Sequence, residues 1–245
     1  MLIIISGCDR SGKTSIATKF VEKNKYEYTH FSSPKDKEDG KQQYFNFIAN
    51  INPYENYLCD RFYEGEFVYA PIYRNYQLDY APQLEETLLQ KTNAMYVYVK
   101  SDLDIIKKRI KEVGEDFVKD DDLEKVINNY EQFIMSCKLP YLILENNNMD
   151  KDKFEETINL KVNEIEYYSK IADKLLTLHK ERNLPMPFGN LIPQAIMVSP
   201  DGKFTYNDLS LIEDYDDFWF TSEEVLEETM TLLNTDVCLF NYRGE

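Results

Sequence analysis

The residues best placed to do chemistry come early. Lys13-Thr14 closes the stretch Gly7-Cys8-Asp9-Arg10-Ser11-Gly12, which follows the apolar run Leu2-Ile3-Ile4-Ile5 and precedes the helical pattern Ile16-Ala17-Phe20-Val21. The spacing is G-x-x-x-x-G-K-[ST], and the chemistry it allows is the cradling of a polyphosphate. Two glycines let the backbone wrap with its N–H groups pointing inward, and the positive end of the following helix adds to that field. Lys13 can reach the outer phosphates and the Thr14 hydroxyl can ligate Mg²⁺. The expected nucleotide-binding set is therefore Gly7, Arg10, Ser11, Gly12, Lys13, Thr14 and Ser15, with ATP and Mg²⁺ as cofactors. A second pair, Asp60-Arg61, follows the run Tyr57-Leu58-Cys59. It belongs at the carboxyl end of a strand, where open α/β sheets bind their ligands. An Asp-Arg at such a place can also be a plain ion pair.

The elements that must hold these residues follow from periodicity. Leu2 to Ser6 is a continuous apolar run of the kind that forms a central parallel strand. Lys13 to Lys23 is its helix, and Tyr26 to Phe31 is a second strand ending in the turn Ser32-Ser33-Pro34. A charged loop over Lys35–Lys41 and a short helix around Tyr44-Phe45-Phe47-Ile48 precede the third strand, Asn56 to Cys59. The aromatic stretch from Phe62 to Arg74 fits no single pattern; its place after Asp60-Arg61 suits a pocket that stacks a flat ligand. Pro82 to Gln90 reads as a helix and Ala94 to Val99 as a fourth strand. Ser101 caps a helix through Ile110, another helix covers Leu123 to Met135, Tyr141 to Leu144 is the fifth strand, and helix continues from Lys151 to about Lys180. The alternation predicts a doubly wound, mostly parallel five-stranded sheet with helices on both faces.

Composition bounds the rest. At 245 residues the chain can bury a sizeable core, and its net charge is −16. That charge opposes the grip on a nucleic-acid backbone, which needs a basic stripe, but leaves small phosphorylated ligands open. No apolar run approaches the ~18 residues of a membrane span, and no basic leader precedes Met1-Leu2-Ile3, so a cytoplasmic protein without membrane contact is expected. A homodimer is left open. Cys8, Cys59, Cys137 and Cys238 lack metal or disulfide spacing and read as free thiols. Residues 181–245 carry 13 acids against 3 bases, a net of −10, which leaves −6 for the first 180. The division expected is thus 1–180 and 181–245, the latter an acidic α+β extension. In it Ala195–Val198 and Phe204-Thr205-Tyr206 can form a hairpin across Ser199-Pro200-Asp201-Gly202, and Phe188, Phe218, Trp219 and Phe220 are apolar enough to pack on the first part.

Taken together, residues 1–168 resemble the P-loop nucleoside and nucleotide kinases, most closely the thymidylate kinase branch of phage and bacterial type. The loop with Asp9-Arg10 between its glycines, the motif Asp60-Arg61-Phe62 followed by Tyr69, and the lid-like Gly114-Glu115-Asp116-Phe117 carry the resemblance. It implies that Asp9 holds a sugar hydroxyl and that Arg10 stabilises the transferring phosphoryl. It further implies that Asp60 sits by the metal and that Arg61 binds an acceptor phosphate. His30-Phe31-Ser32-Ser33-Pro34 would then be a substrate segment in which Phe31 or Pro34 packs on the base, with Tyr69 and Arg74 also on the substrate side. The expected catalytic residues are Lys13, Arg10 and Asp60, the metal ligands Thr14 and Asp60. Because Lys111 to Asp116 contains no arginine, the catalytic arginine is expected to be Arg10, with Arg109 at the lid base as the alternative. Asn50-Ile51-Asn52 stands where the branch offers an arginine to read thymine. The activity implied is ATP-dependent phosphorylation of a deoxynucleoside monophosphate, dTMP or a modified pyrimidine analogue. A deoxynucleoside kinase, a kinase of modified bases in DNA and a regulatory nucleotide-binding module are the rivals.

Overall fold

A computed structural model describes residues 1–113, 118–147, 153–166 and 169, together with two short strands at 196–198 and 204–206. The chain divides into two compact units, Met1–Val162 and Asn163–Glu245. In the first, the apolar run becomes β1 (Leu2–Ser6), buried at every residue. It pairs in parallel with β3 (Tyr57–Asp60) on one side and β4 (Ala94–Lys100) on the other. The edge strands β2 (Glu27–His30) and β5 (Tyr141–Glu145) complete an all-parallel sheet of order β2-β3-β1-β4-β5. The edges are the strands with exposed residues, the centre the strands without, which is why only β2 and β5 carry mixed patterns in the sequence.

Crossovers between parallel strands are right-handed. The step from β1 to β2 therefore puts α1 (Lys13–Lys23) on one face. The three steps in the opposite direction put α2 (Lys37–Asn50), α3 (Tyr63–Tyr73), α4 (Ala81–Lys91), α5 (Leu103–Val113) and α6 (Leu123–Ser136) on the other. The helical residues 153–162 return to the first face, where Glu155 takes a 2.6 Å hydrogen bond from Lys23 of α1. Aromatic side chains fill the second layer edge to face. Phe31 packs on Phe47 and Phe62, Tyr44 on Phe62, and Tyr63 on Tyr96 and Phe133.

Two elements differ from expectation. The Lys35–Lys41 stretch is helical from Lys37 on rather than loop throughout, because the Asp36 side chain accepts a 2.9 Å bond from the Asp39 N–H and starts α2 there. Gly40 inside that helix marks a close approach: a Cβ there would lie 3.0 Å from the Tyr80 hydroxyl and 3.1 Å from Pro34 Cγ. The aromatic stretch after Asp60 is the helix α3. Pro71 does not break it, since it stands in the last turn and removes only one bond near the end. In the second unit, β6 (Ile196–Val198) and β7 (Phe204–Tyr206) form the expected antiparallel hairpin, with Met197 opposite Thr205. The segment Gly114–Phe117 and residues Phe188, Phe218, Trp219, Phe220 and Cys238 lie outside the described residues.

Candidate active site

The glycine loop follows β1 at the carboxyl edge of the sheet, one strand away from the end of β3. Gly7 has φ +153°, and a Cβ there would run into the Val99 carbonyl and lie 2.7 Å from Ser11 Oγ. Gly12 has φ 94° and caps the N-terminus of α1 without a side-chain bond. Arg10 turns the loop with φ 63°, a left-handed conformation that a non-glycine residue adopts only where its surroundings hold it. Such alternation of left-handed and right-handed residues points backbone N–H groups into one concavity. The Thr14 side chain at the start of α1 is exposed and Ser15 is half-buried.

Three charged side chains converge beside this loop. Lys13 is buried, and its Nζ lies 3.3 Å from the Cys8 carbonyl and 3.4 Å from Asp9 Oδ1. Arg61 Nη2 donates to the same Asp9 oxygen at 3.0 Å. Burial pulls the Lys13 pKa below its ordinary value, while the Asp9 charge works against that fall. Arg61 is brought there by the register: Ile5 of β1 stands opposite Asp60 of β3, and the Arg61 N–H donates to the Ile5 carbonyl at 3.0 Å. Its φ of 69° turns the chain out of the strand, so the guanidinium swings towards the loop.

Asp60 is fully buried at the end of β3. Its Oδ2 accepts a 3.0 Å bond from the Tyr28 hydroxyl and lies 3.2 Å from His30 Nδ1, whereas Oδ1 is buried without a hydrogen-bond partner. Burial first and the Asp60 carboxylate next push the Tyr28 phenol up to about 12, so it stays a donor. A buried carboxylate oxygen with no donor is costly unless a cation or proton meets it. A hard divalent cation such as Mg²⁺ fits that oxygen, and it binds through one or two carboxylates plus phosphates rather than an all-protein cage. Among the described residues no group of three or more His, Cys, Asp or Glu forms such a cage.

At the C-terminal end of α3, Arg74 is already committed. Its Nη1 donates to Ser33 Oγ at 2.7 Å and its Nη2 to the buried Glu66 carboxylate, which also accepts from the Tyr76 hydroxyl. The guanidinium lies 5.9 Å from the centre of the Tyr76 ring. The structure therefore brings Lys13, Asp9 and Arg61 together with the loop and leaves Arg74 in a separate cluster. Phe31 is buried among Tyr44, Phe47 and Phe62, so its ring is a core ring. Pro34 is buried against α2. Tyr69 stacks on Tyr73 and meets Tyr130 edge-on, with its hydroxyl buried and unpartnered.

Several contacts of the site are not foreseen by sequence reasoning, although Arg109 and His30 are themselves named by it. Tyr28 and His30 stand two apart on β2 and so share a face, and His30 is in register with Asp60, a signal that strand alternation contains. Ser101, read as a helix cap, instead donates to the Asn146 carbonyl at 2.7 Å and lies 3.4 Å from the Ser11 carbonyl. Arg109 and Asn146 reach the loop backbone from α5 and from the end of β5. No local pattern announces those contacts.

This all-parallel five-stranded sheet with helices on both faces is an α/β fold that the chain shares with solved structures. No protein-family model matches the chain. It is 27% identical over 141 residues to the SPbeta prophage-derived uncharacterized protein YorR of Bacillus subtilis (strain 168), spanning 56% of this chain and 84% of YorR. The crystal structure of B. subtilis YorR in complex with phosphorylated GDP superposes with a TM-score of 0.58 at 22% identity, covering 66% of this chain and 96% of that one. Polyphosphate kinase 2 from Arthrobacter aurescens TC1 gives a TM-score of 0.53 at 16% identity over 63% of this chain and 64% of its own. Among the described residues no helix is long and apolar enough to cross a membrane.

Proposed function

We propose that the chain is an ATP- and Mg²⁺-dependent kinase of a deoxynucleoside monophosphate. The observation that carries this reading is the sharing of one Asp9 oxygen by Lys13, at 3.4 Å, and Arg61, at 3.0 Å. One cation belongs to the loop that cradles the donor and the other to the neighbouring strand end. Two phosphate groups bound by them stand side by side, the arrangement in-line transfer needs. The loop N–H groups and Lys13 hold the donor phosphates. Arg10, on the strained turn of the loop, donates two parallel bonds to the transferring phosphoryl, and Asp9 also receives a sugar hydroxyl. Thr14 and the unpartnered Asp60 oxygen hold Mg²⁺, which supplies neutralisation of the phosphate charge.

The acceptor base is proposed as thymine or a modified pyrimidine, on the family resemblance alone. The guanine nucleotide in YorR supports including dGMP among the acceptors. A second reading has its own observation. Because Arg74 is paired with Glu66, Arg61 alone remains to favour a phosphorylated acceptor. The free Asp60 oxygen would then suit a base for a 5′-hydroxyl, as in a deoxynucleoside kinase. Coupled ADP release with MgATP, screened over nucleosides, nucleoside monophosphates and oligonucleotides, separates them. Turnover with dTMP or dGMP above that with the free nucleosides is expected; the reverse order establishes the nucleoside kinase, and no acceptor stimulation removes both.

A further inference from the structure

The contacts behind the glycine loop are as organised as those in front of it. Arg109 Nη1 donates to the carbonyls of Arg10 and Ser11 at 3.1 and 3.4 Å and to Ser101 Oγ at 3.1 Å, while Nη2 donates to the Asn146 carbonyl at 2.7 Å. Asn146, fully buried, adds a 2.6 Å bond from its Nδ2 to the same Ser11 carbonyl, and its own N–H is tied to the Lys100 carbonyl at 2.7 Å. One side of the loop backbone is thereby fastened to α5 and to the ends of β4 and β5. The Ser11 N–H, in the same peptide as the Arg10 carbonyl, donates to the Cys8 carbonyl at 3.1 Å, while holding the Ser11 carbonyl outward turns the Gly12 N–H the other way, because the peptide unit is planar and trans. Those peptides include the left-handed turn at Arg10, a conformation that must be held by its surroundings.

We propose that Arg109 is a positioning residue: with Asn146 and Ser101 it clamps the carbonyl side of the loop so that the Gly12 N–H is aimed at the phosphates before a nucleotide arrives. This rests on the reading of the loop as a phosphate cradle and gives Arg109 no contact with the reacting atoms. Four acceptors in two directions suit a planar guanidinium, and a lysine ammonium can satisfy only part of the set. Lost preorganisation appears as weaker binding of whatever the loop holds.

The test is binding without turnover. Affinities of Mg²⁺–ATP and of Mg²⁺–tripolyphosphate, which has phosphates and no base, are measured by calorimetry for the wild type, Arg109→Ala and Arg109→Lys, with melting temperatures alongside. The clamp predicts that Arg109→Ala weakens both ligands by the same factor, about tenfold, and that Arg109→Lys recovers part of it for both. Loss confined to ATP would mean that Arg109 meets the base or ribose and would overturn the proposal. So would a lower melting temperature with both affinities unchanged, the mark of a purely structural bond set. Should Arg109→Ala not fold, Arg109→Lys decides on the same terms, parallel loss supporting the clamp and no loss or ATP-only loss refuting it. An enzyme inactive toward every acceptor would count against phosphoryl transfer and leave the binding result standing.

Discussion

The arginines just before and just after α3, Arg61 and Arg74, each pair with a carboxylate, and the two pairs differ in what surrounds them. Arg61 meets Asp9 where the side chains are 38% and 13% exposed, whereas Arg74 meets Glu66 at 17% and 3%. Asp9 divides one oxygen between two cations, and the buried Asp60 carboxylate acts on both of them as well. Glu66 instead accepts from one cation and the Tyr76 hydroxyl, and Arg74 spends its remaining terminal nitrogen on Ser33. In the function proposed above the first pair is a charged mouth for a phosphate, while the second is the more buried of the two and braces Arg74 to Glu66 and Ser33. An arginine near a binding loop is informative only once its partners are counted.

The largest effect should come from the loop itself. Arg10→Ala is expected to lower kcat by about three decades with little change in KM for ATP, on the scale of phosphoryl-transfer arginines. Stopped ADP release reads it directly, and retention of more than about a tenth of kcat would move the role elsewhere. Arg74→Ala should act on stability: it leaves the buried Glu66 charge without its cation, at a cost of about 3–5 kcal/mol in urea unfolding. Retained stability with lost acceptor binding would instead make the brace a binding site.

Glu64 offers a third contrast, since it is buried in the first turn of the same helix and pairs with no cation among the described residues. Burial, opposed in part by the Phe62 N–H, pushes its pKa up to about 7. A carboxyl raised in the folded state holds its proton there while the unfolded chain releases it. Stability from this group is therefore full below the ordinary carboxyl range and falls as pH rises to about 7, by roughly 3 kcal/mol. Glu64→Gln should flatten that fall in melts run in EDTA between pH 5 and 8. An unchanged slope would show that the carboxyl is ionised in the folded protein. The smallest effect is expected at the mouth: Arg61→Ala should weaken the acceptor monophosphate by about 1.5–3 kcal/mol, the scale of hydrogen bonds to charged groups, and spare ATP. Equal weakening of both ligands would place Arg61 on the donor side.

What the sequence discloses follows the range of each interaction. β1, the glycine loop and α1 are legible because the whole signal lies within the 22 consecutive residues from Leu2 to Lys23. The strand end at Asp60-Arg61 is legible for the same reason. Arg74 is not, because its partner Glu66 is two turns back on a helix that Pro71 and the crowded rings conceal. Phe31 illustrates a different limit: an aromatic residue at a strand end can face a ligand or the core, and only α2 packing across it makes it core. Arg109 and the loop it fastens are 99 and 98 positions apart, a distance no local pattern spans.

Lys13 tests the central claim most directly. Its Nζ is the buried cation of the loop, so Lys13→Ala removes the charge that faces the outer phosphates while the glycine turns remain. Measured by ADP release with MgATP and the preferred monophosphate, Lys13→Ala with an unchanged circular dichroism spectrum should lose at least about three decades of kcat, within the range assigned to electrostatic stabilisation in such transfers. Turnover near that of the wild type in the folded variant would contradict the assignment of this loop as the phosphoryl-transfer site.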